Sequence, residues 1–147
     1  MFFLGQFYHT LDEKGRLTVP ARFRELLTSE GGFIMRGFDN NLMVVLTRTF
    51  EAMSHRLNQM SMTDPTVRSL KRFLFSGADR VDVDRAGRIL ITQYLRQVAS
   101  LESDVVIVGS GHYFEIWSLE NWTEQDKDLS DPQSNAQRYA VLNLTFE

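Results

Sequence analysis

The sequence predicts a mainly β, α+β fold in which two tandem copies of one small unit share a barrel-like core of pseudo-twofold symmetry. Three observations point there. Shifting the 147-residue chain by 72 positions lays it on itself without a gap, so that Phe3 falls on Phe75, Gly5 on Gly77, Asp12 on Asp84, Gly15 on Gly87, Arg16 on Arg88 and Arg24 on Arg96. Each copy alternates short apolar runs with turn formers and short helical patterns. A unit of roughly 45 residues is also close to the size below which a lone hydrophobic core is marginal. Interleaving the strands of both units into one core answers that shortage. The alternative is two separate small domains joined by a helix at 65–74.

The elements follow in order. Residues 7–11 and 16–19 read as strands joined by the charged turn "DEKGR". Pro20 suits a first helical position, where its fixed φ fits and its missing N–H is not needed. "ARFRELL" continues as a short helix burying Phe23, Leu26 and Leu27, and "EGG" ends it. Residues 33–36 and 42–47 form a hairpin around "GFDNN", and a helix near 48–59 closes the unit. Asp64 and Pro65 are an N-cap and first residue for a connecting helix through about Leu74. The second unit repeats the pattern at 79–84, 88–91, 93–99, 104–109, 112–117 and 118–126. The chain thus divides into a first unit at 5–48, a helical connector at 49–76, a second unit at 77–120 and an end segment at 121–147. In that end segment "DLSDPQSN" reads as flexible, while "YAVLNLTFE" is apolar enough to dock on something.

Composition narrows the function. No run approaches the roughly 18 apolar residues of a membrane span, and the N-terminus lacks a signal-peptide pattern, so a soluble, cytoplasmic protein without a membrane partner is expected. Cysteine is absent, which removes disulfides, thiolate metal sites and thiol catalysis. The formal charge of −3 is unevenly spread. Residues 120–147 hold six acids against two bases, whereas residues 14–24 hold Lys14, Arg16, Arg22 and Arg24 and no acid. Local field rather than net charge decides where a polyanion docks.

The charged turn is made twice, as "DEKGR" at 12–16 and "DRAGR" at 84–88. Gly15 and Gly87 supply positive φ, and Asp12 and Asp84 can accept backbone N–H bonds and pair with the arginine four residues on. These four residues therefore read as shaping the turn. Turn geometry requires neither Lys14 nor an arginine at position 16. A two-stranded ribbon fits the major groove of B-DNA, and arginine bidentate to guanine O6 and N7 is the commonest specific contact. Lys14 and Arg16 occupy the tip and first strand position of such a ribbon, and Arg22 and Arg24 on the following helix can reach phosphates. The second unit offers Arg85 and Arg88 but has Ala86 where the first has Lys14.

The twin turns, "FRELL", "KRFLFSGA" at 71–78 and "FEIW" at 114–117 resemble the MraZ family of bacterial transcriptional regulators over about residues 1–124. The resemblance implies two domains of the SpoVT-AbrB type, each a swapped-hairpin half-barrel. It further implies a ring-shaped homo-oligomer, nucleoid-associated, that binds tandem promoter repeats of its own division and cell-wall operon in double-stranded DNA and usually represses it. DNA contact by the lysine and arginine of the first turn maps onto Lys14 and Arg16, and the second-turn arginine onto Arg88. Linking several weak readers on one ring makes later contacts intramolecular and raises avidity.

Other readings fare worse. Asp12 and Asp84 sit at equivalent positions, as in an aspartic-protease dyad, but they precede Glu13 and Arg85, and Arg16 and Arg88 would keep them ionised. His9, His55 and His112 share no ligand spacing with carboxylates, so neither a metal nor a cofactor is expected, and no enzyme. A protein-interaction module, antitoxin-like or a scaffold ring without specific DNA binding, is the remaining alternative, kept open by the acidic end segment. The aromatic residues Phe73, Phe75, Tyr113, Phe114 and Trp117 have core spacing rather than the look of a ligand box.

Overall fold

Leu17 and Val19 of the first unit, and Ile89 and Ile91 of the second, alternate with more exposed neighbours and are all but fully buried. A strand with one buried face behaves this way. The computed structural model describes residues 2–145 and shows that all four enter the same core. In chain order the elements are β1 (Gln6–Thr10), β2 (Arg16–Thr18), α1 (Ala21–Glu30), β3 (Gly32–Arg36), β4 (Leu42–Leu46), α2 (Thr47–Gln59) and α3 (Pro65–Phe75). They continue with β5 (Asp79–Val81), β6 (Arg88–Leu90), α4 (Gln93–Val98), β7 (Asp104–Gly109), β8 (Tyr113–Ser118), α5 (Leu119–Leu129) and α6 (Pro132–Ala140). The fold is mixed α+β, with 42% helix and 27% strand. The helical share is larger than the strand-centred sequence reading suggests, because the end segment adds a helix of its own.

The strands interleave. A six-stranded antiparallel sheet runs β1-β7-β8-β4-β3-β5, and β2 pairs with β6 in a separate two-stranded ribbon. Replacing each strand by its counterpart in the other unit turns the sheet order into its own reverse, which is the pseudo-twofold symmetry. The register locates the axis. Met43 lies opposite Glu115 and Leu17 opposite Ile89, and each of these pairs joins equivalent positions of the two units.

The first strand of each unit finds its ladder in the other: β1 on β7, and β5 on β3. Neither unit could keep its sheet alone. The shared core contains Phe3, Phe23, Ile34 and Leu42 from one unit and Ile89, Leu95, Phe114 and Ile116 from the other. Phe23 on α1 lies 5.0 Å from both Phe3 and Phe114, ring centre to ring centre, so aromatic packing crosses the unit boundary. Phe114 and Trp117 are therefore core residues.

The outer sheet face carries two further layers. Beneath α2 and α3 lie Met35, Val45, Leu57 and Leu74, with Phe33 stacked on Phe50 at 4.1 Å and Phe73 and Phe75 packed alongside. Under α5, Trp117 meets Trp122 edge to face beside Val106 and Val108.

Two local expectations change. Pro20 is the N-cap of α1 rather than its first residue, since its ψ of 142° is still extended. The stretch "DLSDPQSN" is not irregular: α5 runs on to Leu129, and α6 begins at Pro132. Asp131 caps α6 by accepting from Gln133 N–H, as Asp64 caps α3 by accepting from Thr66 N–H. The Asp-Pro start signal outweighs the polar composition. Beyond α6, Val141, Leu142 and Leu144 are exposed; Phe146 and Glu147, part of the apolar end noted in the sequence, lie outside the described residues.

Candidate nucleic-acid interface

The two turns are built alike. Asp12 Oδ1 accepts from the N–H of Lys14 and of Arg16, each at 2.9 Å, and Gly15 N–H donates to Asp12 O at 3.0 Å. Asp84 Oδ1 accepts from the N–H of Ala86 and of Arg88, again at 2.9 Å, and Gly87 N–H donates to Asp84 O at 3.0 Å. Gly15 and Gly87 both have φ of +80°, which an L side chain rarely adopts. Short side-chain acceptors and one glycine per turn thus close each loop locally.

The second oxygen of each aspartate holds an arginine. Arg16 Nε donates to Asp12 Oδ2 at 2.6 Å, and Arg88 Nε to Asp84 Oδ2 at 3.0 Å. Arg88 Nη1 also lies 3.7 Å from Asp12 Oδ2, so one carboxylate faces guanidinium groups from both units. The Arg16 N–H is the largest of the effects that hold the Asp12 carboxyl below its ordinary range, with the Arg16 guanidinium and Lys14 N–H adding to it. Arg88 N–H does the same for Asp84. Both carboxylates stay ionised.

The ribbon that carries these turns is not the one read from the sequence. Within a unit, no ladder joins β1 to β2 among the described residues; the two segments are tied by a Leu11–Leu17 bridge and by Asp12 N–H donating to Arg16 O at 3.0 Å. The ribbon is β2 against β6, one strand from each unit, with Arg16 opposite Leu90 and Thr18 opposite Arg88. Leu17 and Ile89 point inward, which turns Arg16, Thr18, Arg88 and Leu90 to the outer face. Because the strands run antiparallel, one charged turn leads into each end. Ile91 N–H donates to Gly15 O at 2.8 Å and Val19 N–H to Gly87 O at 3.0 Å, tying each turn to the other unit.

Arginines on the following helices complete the face, again by exchange. Arg24 on α1 lies over Gly87, in the second unit's turn, with its Cζ 2.7 Å from where a Cβ would stand. Arg96 on α4 covers Gly15 in the same manner, its Nε and Cζ 2.8 Å from that point, and donates from Nε to Ile91 O at 3.1 Å. One end of the ribbon therefore gathers Lys14, Arg16 and Arg96, and the other Arg85, Arg88 and Arg24. Lys14 and Arg85 are exposed, and the four other side chains are half-buried. Arg22 is exposed but is drawn to β1, where its guanidinium lies 5.8 Å from the centre of the Phe7 ring. Arg96 was not among the sequence candidates, although the 72-residue shift that aligns it with Arg24 already marked it.

Among the described residues, no group of three or more His, Asp or Glu side chains is arranged to hold a metal ion, and no helix is long and apolar enough to cross a membrane.

Comparison with known proteins covers nearly the whole chain. The family profile described as "MraZ protein, putative antitoxin-like" matches twice, at residues 2–73 and 74–144. A protein of Thermomicrobium roseum named Transcriptional regulator MraZ is 41% identical over 141 residues, covering 95% of this chain and 99% of that one. Proteins of the same name from Roseiflexus castenholzii and Dictyoglomus turgidum are each 44% identical. They cover 94% and 86% of this chain, and the same shares of their own lengths.

Proposed function

The chain belongs to the MraZ family, and from that premise we propose that it is a DNA-binding transcriptional regulator whose paired charged turns read double-stranded DNA. The observation that carries this reading is the way Asp12 takes only the Nε edge of Arg16. Among the described residues Arg16 Nη1 and Nη2 have no protein acceptor. That terminal pair is the edge that meets guanine O6 and N7 bidentately. Lys14, Arg85, Arg24 and Arg96 flank the ribbon with charge suited to phosphates, whose contacts fix register rather than sequence.

The finer reading is that the DNA consists of tandem repeats upstream of the protein's own operon. Several copies then act together as a ring-shaped, nucleoid-associated repressor. A single ribbon offers few base contacts, so avidity across repeats supplies the affinity.

A titration of promoter DNA with wild type and Arg16→Ala at two salt concentrations tests this. Wild type should bind with a steep salt dependence. The variant should lose one bidentate contact, about 1–3 kcal/mol, for each ribbon engaged. Equal binding by the variant, or indifference of the wild type to that DNA, would move the search to protein partners.

A further inference from the structure

Outside the ribbon, two of the apolar surfaces formed by the described residues lie exposed on the same chain. One is a groove of about 380 Å³ between α2 and α3, lined by Met53, Leu57, Met60, Leu70 and Leu74 and flanked by Phe38. Phe38 and Met60 remain 66% and 45% exposed although they border buried core. The other is the segment after α6, where Val141, Leu142 and Leu144 are 78%, 68% and 82% exposed. Exposed apolar area gathered in this way marks an interaction site more often than an accident.

The charges of the two surfaces are opposite. Residues 47–75 carry Arg48, Arg56, Arg68, Lys71 and Arg72 against Glu51 and Asp64. Among the described residues, Arg56, Lys71 and Arg72 have no carboxylate partner. Residues 119–147 carry six acids against Lys127 and Arg138. Lengths agree as well. Thr49 to Met60 along α2 spans about 16 Å at helical rise, and residues 141–145 extended span about the same.

Repeat logic gives the third argument. The α3 and α6 helices begin with the same Asp-Pro cap, yet α3 packs on β3 whereas α6 packs chiefly on α5 and buries no residue. The segment that follows α6 lies beside that helix, with Leu144 near Tyr139 and Ala140, and its apolar side chains stay exposed.

We propose that the apolar end segment, residues 141–145, docks in the α2–α3 groove of a second copy of this chain. The acidic α5–α6 region of the donor then faces Arg56, Lys71 and Arg72 of the acceptor. Each copy offers one segment and one groove, so the contact can be continued from copy to copy. This rests on the self-association proposed above and supplies its interface.

The cysteine-free sequence makes the test clean. Leu144→Cys and Met60→Cys are prepared in separate chains, mixed, and treated with a short bis-maleimide. Peptide mass spectrometry should find residue 144 of one chain joined to residue 60 of the other. In parallel, light scattering compares wild type with the triple variant Val141→Asp, Leu142→Asp, Leu144→Asp, whose sites are all exposed. The variant should self-associate at least about ten-fold more weakly. If wild type assembles and the variant assembles equally well, with no 144–60 cross-link, the docking is overturned while self-association stands. If wild type is a monomer at every concentration, self-association fails and the docking with it. If a third chain carrying both Leu144→Cys and Met60→Cys links within itself while the two single variants do not link to each other, the segment lies in its own groove and the proposal is overturned.

Discussion

Asp12 does two jobs with its two oxygens, and Asp84 repeats them. One oxygen closes the turn by taking two backbone N–H groups, and the other fixes the Nε of an arginine; the outer edge of Arg16 stays free, whereas Arg88 Nη1 leans toward Asp12 at 3.7 Å. Replacing either with asparagine preserves an acceptor but removes the charge. Both carboxyls are held below their ordinary value of 3.8 in the folded chain, so between the two values the unfolded chain binds more protons. Their contribution is complete above the ordinary value and is lost as pH falls through the lowered one. Urea midpoints of wild type and the Asp12→Asn, Asp84→Asn double variant should therefore differ near about pH 7 and converge toward about pH 2. A gap that stays constant with pH would mean that charge is not what the aspartates contribute. The glycines are equally constrained. A methyl group on Gly15 would meet Ile91 O at 2.8 Å as well as an unfavourable φ.

At the scale of elements, the ribbon and the outer helices differ in what supports them. The ribbon has only three residues per strand and is too short to stand alone. Its position comes from Leu17 and Ile89 beneath it and from α1 and α4 beside it. By contrast, α3 has local support. Asp64 accepts from Thr66 N–H at 2.9 Å, Pro65 starts the helix, and Leu74 is buried at its far end. Asp64→Ala should cost about 0.5–2 kcal/mol, measured by chemical denaturation. Because α3 forms one wall of the proposed docking groove, the same variant should also weaken self-association. A loss of stability below about 0.3 kcal/mol would show that packing alone fixes this helix.

For the whole molecule, exchange of first strands makes the two units one folding entity. A chain of residues 1–76 keeps β3 and β4 but loses the partners of β1 and β2, and exposes the face of Phe23 that packs on Phe114. As a monomer it should lack a cooperative unfolding transition. The interleaved symmetry lets a second copy of 1–76 stand in for the missing unit, so any structure it gains should depend on concentration. Circular dichroism against dilution measures this. A folded monomeric 1–76 with cooperative melting would contradict the interdependence of the units.

The repeat, the twin Asp–Gly–Arg turns, most strand and helix positions and the apolar residues of the core were legible in the sequence, because local chemistry dictates them. Turn closure needs an acceptor and a glycine within five residues, and a buried strand face needs alternation. The helix α6 is marked by its Asp-Pro start, a local cap that outweighs the polar composition of the stretch. What tertiary structure alone decided is which strands pair. Ladder bonds are the same between any two strands, so nothing in "RLT" or "RIL" states that β2 seeks β6 rather than β1. That choice follows from burying one common core, and it has a consequence for the site. It brings Arg96 to the first turn and Arg24 to the second, so each end of the basic face is assembled from both halves of the chain.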